Sequence, residues 1–319
     1  MKIKSLWRIA VVATVLLAFP IVASAELRGS FDRTLQVSGP VDLSVESGSG
    51  SITVTTGSEG TVQVIGKIYS SRSRAEENVR YLEQNPPIEQ NGNTVRVGKI
   101  DRDRSRDISI SYELVVPVAT QLVSKTGSGS QTIGDVRGPV DVSSGSGSLK
   151  IGNIGGKVEA SAGSGSIEIR AANGGVHAKT GSGSIKAYGV AGPFTSSSGS
   201  GSVELEQVGP GDVEVDTGSG SIEVNGVRGA LSADTGSGGI RAEGSVDGEW
   251  DLHSSSGTVV VRLPSDAQFV LDAKSSSGSI ESDHPVTVHG LTKKHLQGEV
   301  RGGGPMLKIR SSSGSIRIK

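Results

Sequence analysis

"KTGSGSI", residues 179–185, decides how this chain is read. Gly-Ser runs ordinarily mark flexible linkers. Here their relatives recur: "SSGSGSL" at 143–149, "SAGSGSI" at 161–167, "DTGSGSI" at 216–222 and "SSSGSI" at 311–316. The first glycine of each G-S-G stands at Gly127, Gly145, Gly163, Gly181, Gly199, Gly218 and Gly236. The steps are therefore 18, 18, 18, 18, 19 and 18 residues. Linkers keep no such period, and a fixed step of this size is the mark of a solenoid.

The apolar residues keep the same beat. Leu149, Ile167, Ile185, Val203, Ile222 and Ile240 follow the Gly-Ser corner, and Ile151, Ile169, Ala187, Leu205, Val224 and Ala242 come two residues later. Nine residues before the first column stand Val140, Val158, Val176, Phe194, Val213 and Leu231. Val142, Ala160, Ala178, Ser196, Val215 and Ala233 come two residues after those. Each pair reads apolar-x-apolar, a strand with one buried face. A further column runs through Ile154, Val190, Val208 and Val227. The expected fold is all-β: a single-stranded parallel β-helix, or β-solenoid, of about 18 residues per coil. The six-residue beat of left-handed hexapeptide solenoids is missing, which favours right-handed winding. Corner glycines are expected for unusual backbone angles and for close approach between coils. Between the inward columns lies the row Lys150, Glu168, Lys186, Glu204, Glu223 and Arg241. Stacking makes these residues neighbours, so they read as a self-paired solvated face rather than a binding stripe.

At the N-terminus, "MKIKSLWR", the apolar "IAVVATVLLAFPIVA" and Ala23-Ser24-Ala25 predict a signal peptide over 1–25. No second span follows, so no membrane segment is expected after cleavage. Residues 26–65 hold a first coil around Leu43, Val45, "SGSGS" 47–51, Ile52 and Val54. A small α/β insertion is expected over 66–107. Ser73 with Glu76 reads as a capping box; Ala75, Val79 and Leu82 share a helical face, and Pro86-Pro87 ends it. Asn91-Gly92 signals a hairpin, and "KIDRDRSRD" 99–107 reads as a charged loop. The insertion is expected to cover an edge of the sheet or core; the alternative is a partner-binding element. The main solenoid occupies 108–319, and the closing strand is expected as an open edge guarded by Arg317 and Lys319.

"YELVVPVATQLVSKTGSGS" 112–130, the serial GSGSI corners, "VVVRLPSDAQFVLDAKSSSGSI" 259–280 and "LKIRSSSGSIRIK" 307–319 carry a family likeness. On these residues the chain resembles the bacterial putative-adhesin domain family, a domain of unknown function with serial β-helix repeats. The resemblance implies a β-helix on the cell envelope or in the periplasm. It brings no catalytic residues.

The residues themselves offer little chemistry. Net charge is −1, which leaves no electrostatic footprint for nucleic acid, and the absence of Cys removes disulfides and thiolate sites. Asp216 and Asp234 hold equivalent places in adjacent coils and could form a close carboxylate pair, but Lys179 and Ser197 interrupt the column. His284, His289 and His295 fall in an apparent loop, at spacings unlike a helical metal pair. "GNIGGK" 152–157 fails the phosphate-loop spacing, and the corner Ser stands where a calcium nonapeptide needs Asp. Scarce aromatics disfavour a sugar-stacking platform. The repeated serines are expected to bond neighbouring backbone. No catalytic, cofactor-binding or metal-ligating residue is assigned, and no cofactor is expected. The expectation is a non-enzymatic, periplasmic or secreted binding or structural protein. Its partner is unknown: an envelope protein, a glycan or a cell surface. The alternative is a periplasmic, stress-linked scaffold, and behind it a polysaccharide-active enzyme.

Overall fold

The computed structural model describes residues 26–70 and 75–319. The predicted signal peptide and Ser73 of the capping box lie outside the described residues. The N-terminal part contains β1 (Glu26–Gln36), β2 (Val41–Ser47), β3 (Ile52–Thr56), β4 (Thr61–Ser70) and α1 (Glu76–Gln84). It continues through β5 (Ile88–Asn91), β6 (Thr94–Val97), α2 (Arg102–Ser105), β7 (Ile108–Val116), β8 (Thr120–Thr126) and β9 (Gln131–Ile133). The middle alternates β10 (Val140–Ser144), β11 (Leu149–Ile154), β12 (Val158–Ala162), β13 (Ile167–Ala172), β14 (Val176–Thr180), β15 (Ile185–Val190) and β16 (Phe194–Ser198). Then come β17 (Val203–Gln207), β18 (Val213–Thr217), β19 (Ile222–Arg228), β20 (Leu231–Thr235), β21 (Ile240–Ser245), β22 (Trp250–Ser254) and β23 (Val259–Arg262). The last part holds β24 (Phe269–Ser275), β25 (Ile280–Ser282), β26 (Val286–Thr292), β27 (His295–Val300), β28 (Met306–Ser311) and β29 (Ile316–Ile318).

These strands form two long mixed sheets of 14 and 15 strands, the architecture of a β-solenoid. At roughly 4.8 Å per strand, 14 strands make a rod about 60 Å long. Successive coils contribute one strand to each sheet. Val140 pairs with Val158, Val158 with Val176 and Val176 with Phe194 in one sheet. Leu149 pairs with Ile167 and Ile167 with Ile185 in the other. All of these side chains are buried, so like stacks on like along a single core. One column departs from expectation. Val208 is 51% exposed, and Gln207 takes the inward place beside Val190. The reason is a register irregularity between Ala187 and Val190. A buried amide is tolerable there because Nε2 of Gln207 donates to Gly192 O at 3.1 Å and Gly211 O at 3.0 Å.

The corners explain the repeated phrase. The Ser or Thr just before the first glycine points inward. Thr180 Oγ1 donates to Gly165 O of the preceding coil at 2.8 Å and accepts from Gly183 N of its own turn at 3.1 Å. Ser144, Ser198, Thr217, Thr235 and Ser254 repeat this bridge, giving a buried hydroxyl ladder. At 162 the place is taken by Ala, which supplies no bridge. The second glycine of each corner is required by proximity. A Cβ on Gly147 would lie 1.9 Å from Gly129 O, and one on Gly165 2.0 Å from Gly147 O. Neither residue has positive φ, so close approach alone requires glycine at these corners; the expected unusual angle is found at the opposite corner, where Gly175 has φ +87°.

Both ends of the rod depart from simple stacking. β28 lies between β22 and β24, and β29 lies between β23 and β25. The coil 306–318 is therefore inserted between coils 250–262 and 269–282. The corners agree: Ser311 Oγ reaches Gly257 O at 3.1 Å, and Ser275 Oγ reaches Gly314 O at 2.9 Å. The expected open edge at Arg317 is thus corrected. The chain passes over one level after β23, turns back through the antiparallel β26–β27 hairpin, and fills the level it skipped. The strands left at this end are β25 and β26. The other end repeats the device: β2 sits between β6 and β8, and β3 between β7 and β9.

β4 crosses the expected division at residues 65 and 66, pairing antiparallel with both β1 and β7. α1 buries Val79 and Leu82 against β1, where Gly29 leaves the space; a Cβ there would lie 2.6 Å from Val79 Cγ1. Ala75 occupies the N-cap without a side-chain bond. The β5–β6 hairpin turns at Gly92, φ +58°, and extends the second sheet. The expected charged loop contains the short turn α2.

Replacing Thr180 by Val keeps the shape but leaves two backbone groups unpaired. The expected loss is about 1–3 kcal/mol in urea unfolding, whereas Ala162→Ser is expected to gain up to about 1 kcal/mol. Ending the chain at residue 304 removes the fully buried Leu307, Ile309, Ile316 and Ile318. Burial of this size is worth more than about 5 kcal/mol. Hydrogen exchange is expected to show lost protection over 269–300, restored by a peptide of residues 305–319.

Candidate functional site

The outward residues of the two sheets form the long faces of the rod. On one, Lys186 Nζ lies 3.1 Å from Glu204 and Arg241 NH1 lies 3.6 Å from Glu223. Arg262 and Glu243 repeat the pattern at 3.8 Å, and Arg317 and Glu281 at 3.7 Å. The hydrogen bond and charge of Glu204 raise the pKa of Lys186. Glu204 and Glu223 are like-charged neighbours in register, and each is met by a cation from its far side. Lys150 and Glu168 stand in register without closing an ion pair. Between the faces, the middle serines of the corners, such as Ser146, Ser164 and Ser182, are exposed. The hydroxyls that bond backbone are the buried ones two residues earlier, together with a few flanking serines such as Ser166, which accepts from Ser184 N at 3.3 Å.

Asp216 and Asp234 do pair side by side on the second sheet. Both are exposed. Lost hydration raises the pKa of Asp216, and the charges of Glu214 and Asp234 raise it further. Asp234 is engaged by His253, whose Nδ1 lies 2.7 Å from Oδ2. The two carboxylates are therefore unequal, as an acid–base pair would need, but they stand on an open face. Of the three C-terminal histidines, His284 lies in the expected loop, between β25 and β26, and the other two do not. His289 belongs to β26 and His295 to β27, because Lys293 and Lys294 form a tight turn that folds the segment into a hairpin. They also do not converge. His284 packs edge-on to Phe269 at 5.7 Å, His289 faces Glu299 at 3.5 Å, and His295 Nε2 meets Asp272 Oδ1 at 2.7 Å. Among the described residues no group of three His, Asp or Glu side chains is placed to hold a metal ion.

The half-buried Asp272 is the best-connected acid on this face. Arg310, from the inserted coil, binds its Oδ2 and also donates to Asp272 O at 2.7 Å. Burial alone would raise the Asp272 pKa. The hydrogen bonds from Arg310 and His295, with their charges, overcome this and hold it below the usual 3.8.

One family model matches residues 43–319, most of this two-sheet rod with its serial Gly-Ser corners. The chain belongs to the Toastrack DUF4097 family. No curated protein matches it. Among solved structures, a putative cell adhesion protein from Clostridium sporogenes is 10% identical over 91% of this chain and 99% of that one, with TM-score 0.19. A putative adhesin from Bacteroides fragilis is 12% identical over 92% and 98%, with TM-score 0.29. A putative lipid binding protein from Parabacteroides distasonis is 14% identical over 91% and 97%, with TM-score 0.40. These superpositions are loose. In this Toastrack chain, no helix among the described residues is long and apolar enough to cross a membrane.

The two acids carry opposite expectations. Asp272→Asn is expected to destabilise the protein by about 1–3 kcal/mol at pH 7, since it removes charge-assisted hydrogen bonds. Its folded pKa is depressed, so that contribution is complete above the ordinary value and is lost as pH falls through the depressed one. Asp216→Asn is expected to stabilise at pH 7, because the folded state penalises its charge, and to become neutral in acid. Urea titrations at pH 7 and in acid check both signs.

Proposed function

We propose that the protein is a non-enzymatic, extracytoplasmic binding or structural protein of the bacterial cell envelope, with an adhesin-like role for the long sides of the rod. One observation supports this most. The core runs unbroken from coil to coil, so the exposed corner serines Ser146, Ser164 and Ser182 are repeated at strand spacing along an extended surface. Stacked-repeat proteins use such surfaces to bind. Family membership over residues 43–319 supports the same reading. Right-handed winding with about 18 residues per coil, and an α/β insertion near the N-terminus, belong to this proposal. Export rests on the signal peptide read at 1–25.

A periplasmic scaffold that captures another envelope protein is the second reading. It is favoured by α1, which leaves Tyr81 41% exposed beneath the Arg104 guanidinium at 3.6 Å. Arg and Tyr are the side chains that anchor many interfaces. β4 and β6 belong to the sheets, so deleting 66–107 would remove strands; Tyr81→Ala is the cleaner probe.

Protease shaving of intact producing cells separates the two. Loss of the protein while a periplasmic control survives is the result expected for a surface role. Protection until the outer envelope is opened would overturn surface adhesion. Capture then lost in Tyr81→Ala, with an unchanged circular dichroism spectrum, is what the scaffold reading expects.

A further inference from the structure

A cavity of about 700 Å³ opens at the N-terminal end of the rod, between the corner at Ser47–Ser49 and the chain from Gly98 to Ile108. Its size is in the range of small-molecule sites, about 300–1,000 Å³. Ile100, Ile108, Ile110 and Tyr112 supply an apolar wall. The polar side chains divide into used and unused. Ser47 Oγ already donates to Ile110 O at 2.8 Å and accepts from Gly50 N at 3.0 Å. Thr126 Oγ1 donates to Gly50 O at 3.1 Å and accepts from Gly129 N at 3.2 Å. Lys99 and Lys125 line the cavity and close no ion pair among the described residues. The Tyr112 hydroxyl is buried and has no hydrogen-bond partner among the described residues. Burial raises its pKa, so it remains a protonated donor.

An unmade hydrogen bond on a buried hydroxyl costs about 1–3 kcal/mol, and native structures rarely leave one without a reason. The charged side chains of the lining are Lys99, Lys125 and Glu46, all three exposed. Two lysines against one glutamate leave a net positive lining. We propose that this cavity binds a small amphipathic anion. Its apolar body lies against Ile108, Ile110 and Tyr112, and its carboxylate-type headgroup lies toward Lys99 and Lys125. The Tyr112 hydroxyl donates to an acceptor on the ligand. The site is independent of where the protein works and of adhesion by the long faces.

Octanoate is a suitable probe, with 1-octanol and octyltrimethylammonium as charge controls, followed by titration calorimetry on the mature chain. Octanoate is expected to bind at least about tenfold more tightly than either control, a difference of about 1.4 kcal/mol. The Lys99→Gln, Lys125→Gln double variant is expected to remove that preference. Tyr112→Phe is expected to weaken octanoate by about threefold or more while leaving the free protein as stable as before or more so. That opposition of signs separates a binding hydroxyl from a structural one. Absence of octanoate binding, equal binding of the controls, or unchanged binding in both sets of variants would overturn the proposal.

Discussion

At each Gly-Ser corner, stacked from Gly50 to Gly278, two glycine backbones meet where no side chain fits. The carbonyl of Gly129 stands in the volume that a Cβ on Gly147 would need, and the same relation passes from Gly147 to Gly165. Strand spacing leaves no slack to relieve such a clash. The first glycine of the motif is less constrained, and Ser255, Ser276 and Ser312 replace it in the C-terminal coils. The second remains glycine there, at Gly257, Gly278 and Gly314. Once the corners touch, the buried Ser or Thr can reach the previous coil's carbonyl, and the apolar columns come into register. The outward charges then line up without further instruction.

That dependence explains why most of the surface is repetitive and why its departures are informative. Where the register shifts between Ala187 and Val190, the inward column admits Gln207, and its amide donates to Gly192 O and Gly211 O. Where the chain returns to fill the level it skipped, Arg310 is brought beside Asp272 and His295. Such sites are the places where the solenoid acquires individual chemistry. They lie at the ends and at the irregular step, not in the regular middle.

The regular middle was open to reading from the chain alone because its pattern is periodic. Val140, Val158 and Val176 announce their own stacking, and the helix face of Val79 and Leu82 and the hairpin at Gly92 carry local signals. The order of strands at the ends carries none. Nothing in "SSSGSIRIK" distinguishes a coil that stacks last from one that slides between two others, because the corner and strand are the same in both cases. The Asp272 cluster and the cavity beside Tyr112 depend on that long-range order, so they were hidden with it. His289 and His295 were misplaced for a local reason: Lys293-Lys294 lacks the Asn-Gly signature that marked the other hairpin.

The inserted coil also bears on the order in which the molecule can be finished. A chain leaves the ribosome, and enters any export channel, from its N-terminus. Residues 269–300 therefore exist before the strands that will lie between them and the body of the rod. During that interval the growing molecule holds a vacancy one strand wide in each sheet, walled by Trp250 and Leu252 on one side and Leu271 on the other. Segment 306–318 pairs with both walls. Its arrival converts a loosely tethered outer layer into part of the rod, so the C-terminal sheet strands become ordered together rather than one after another.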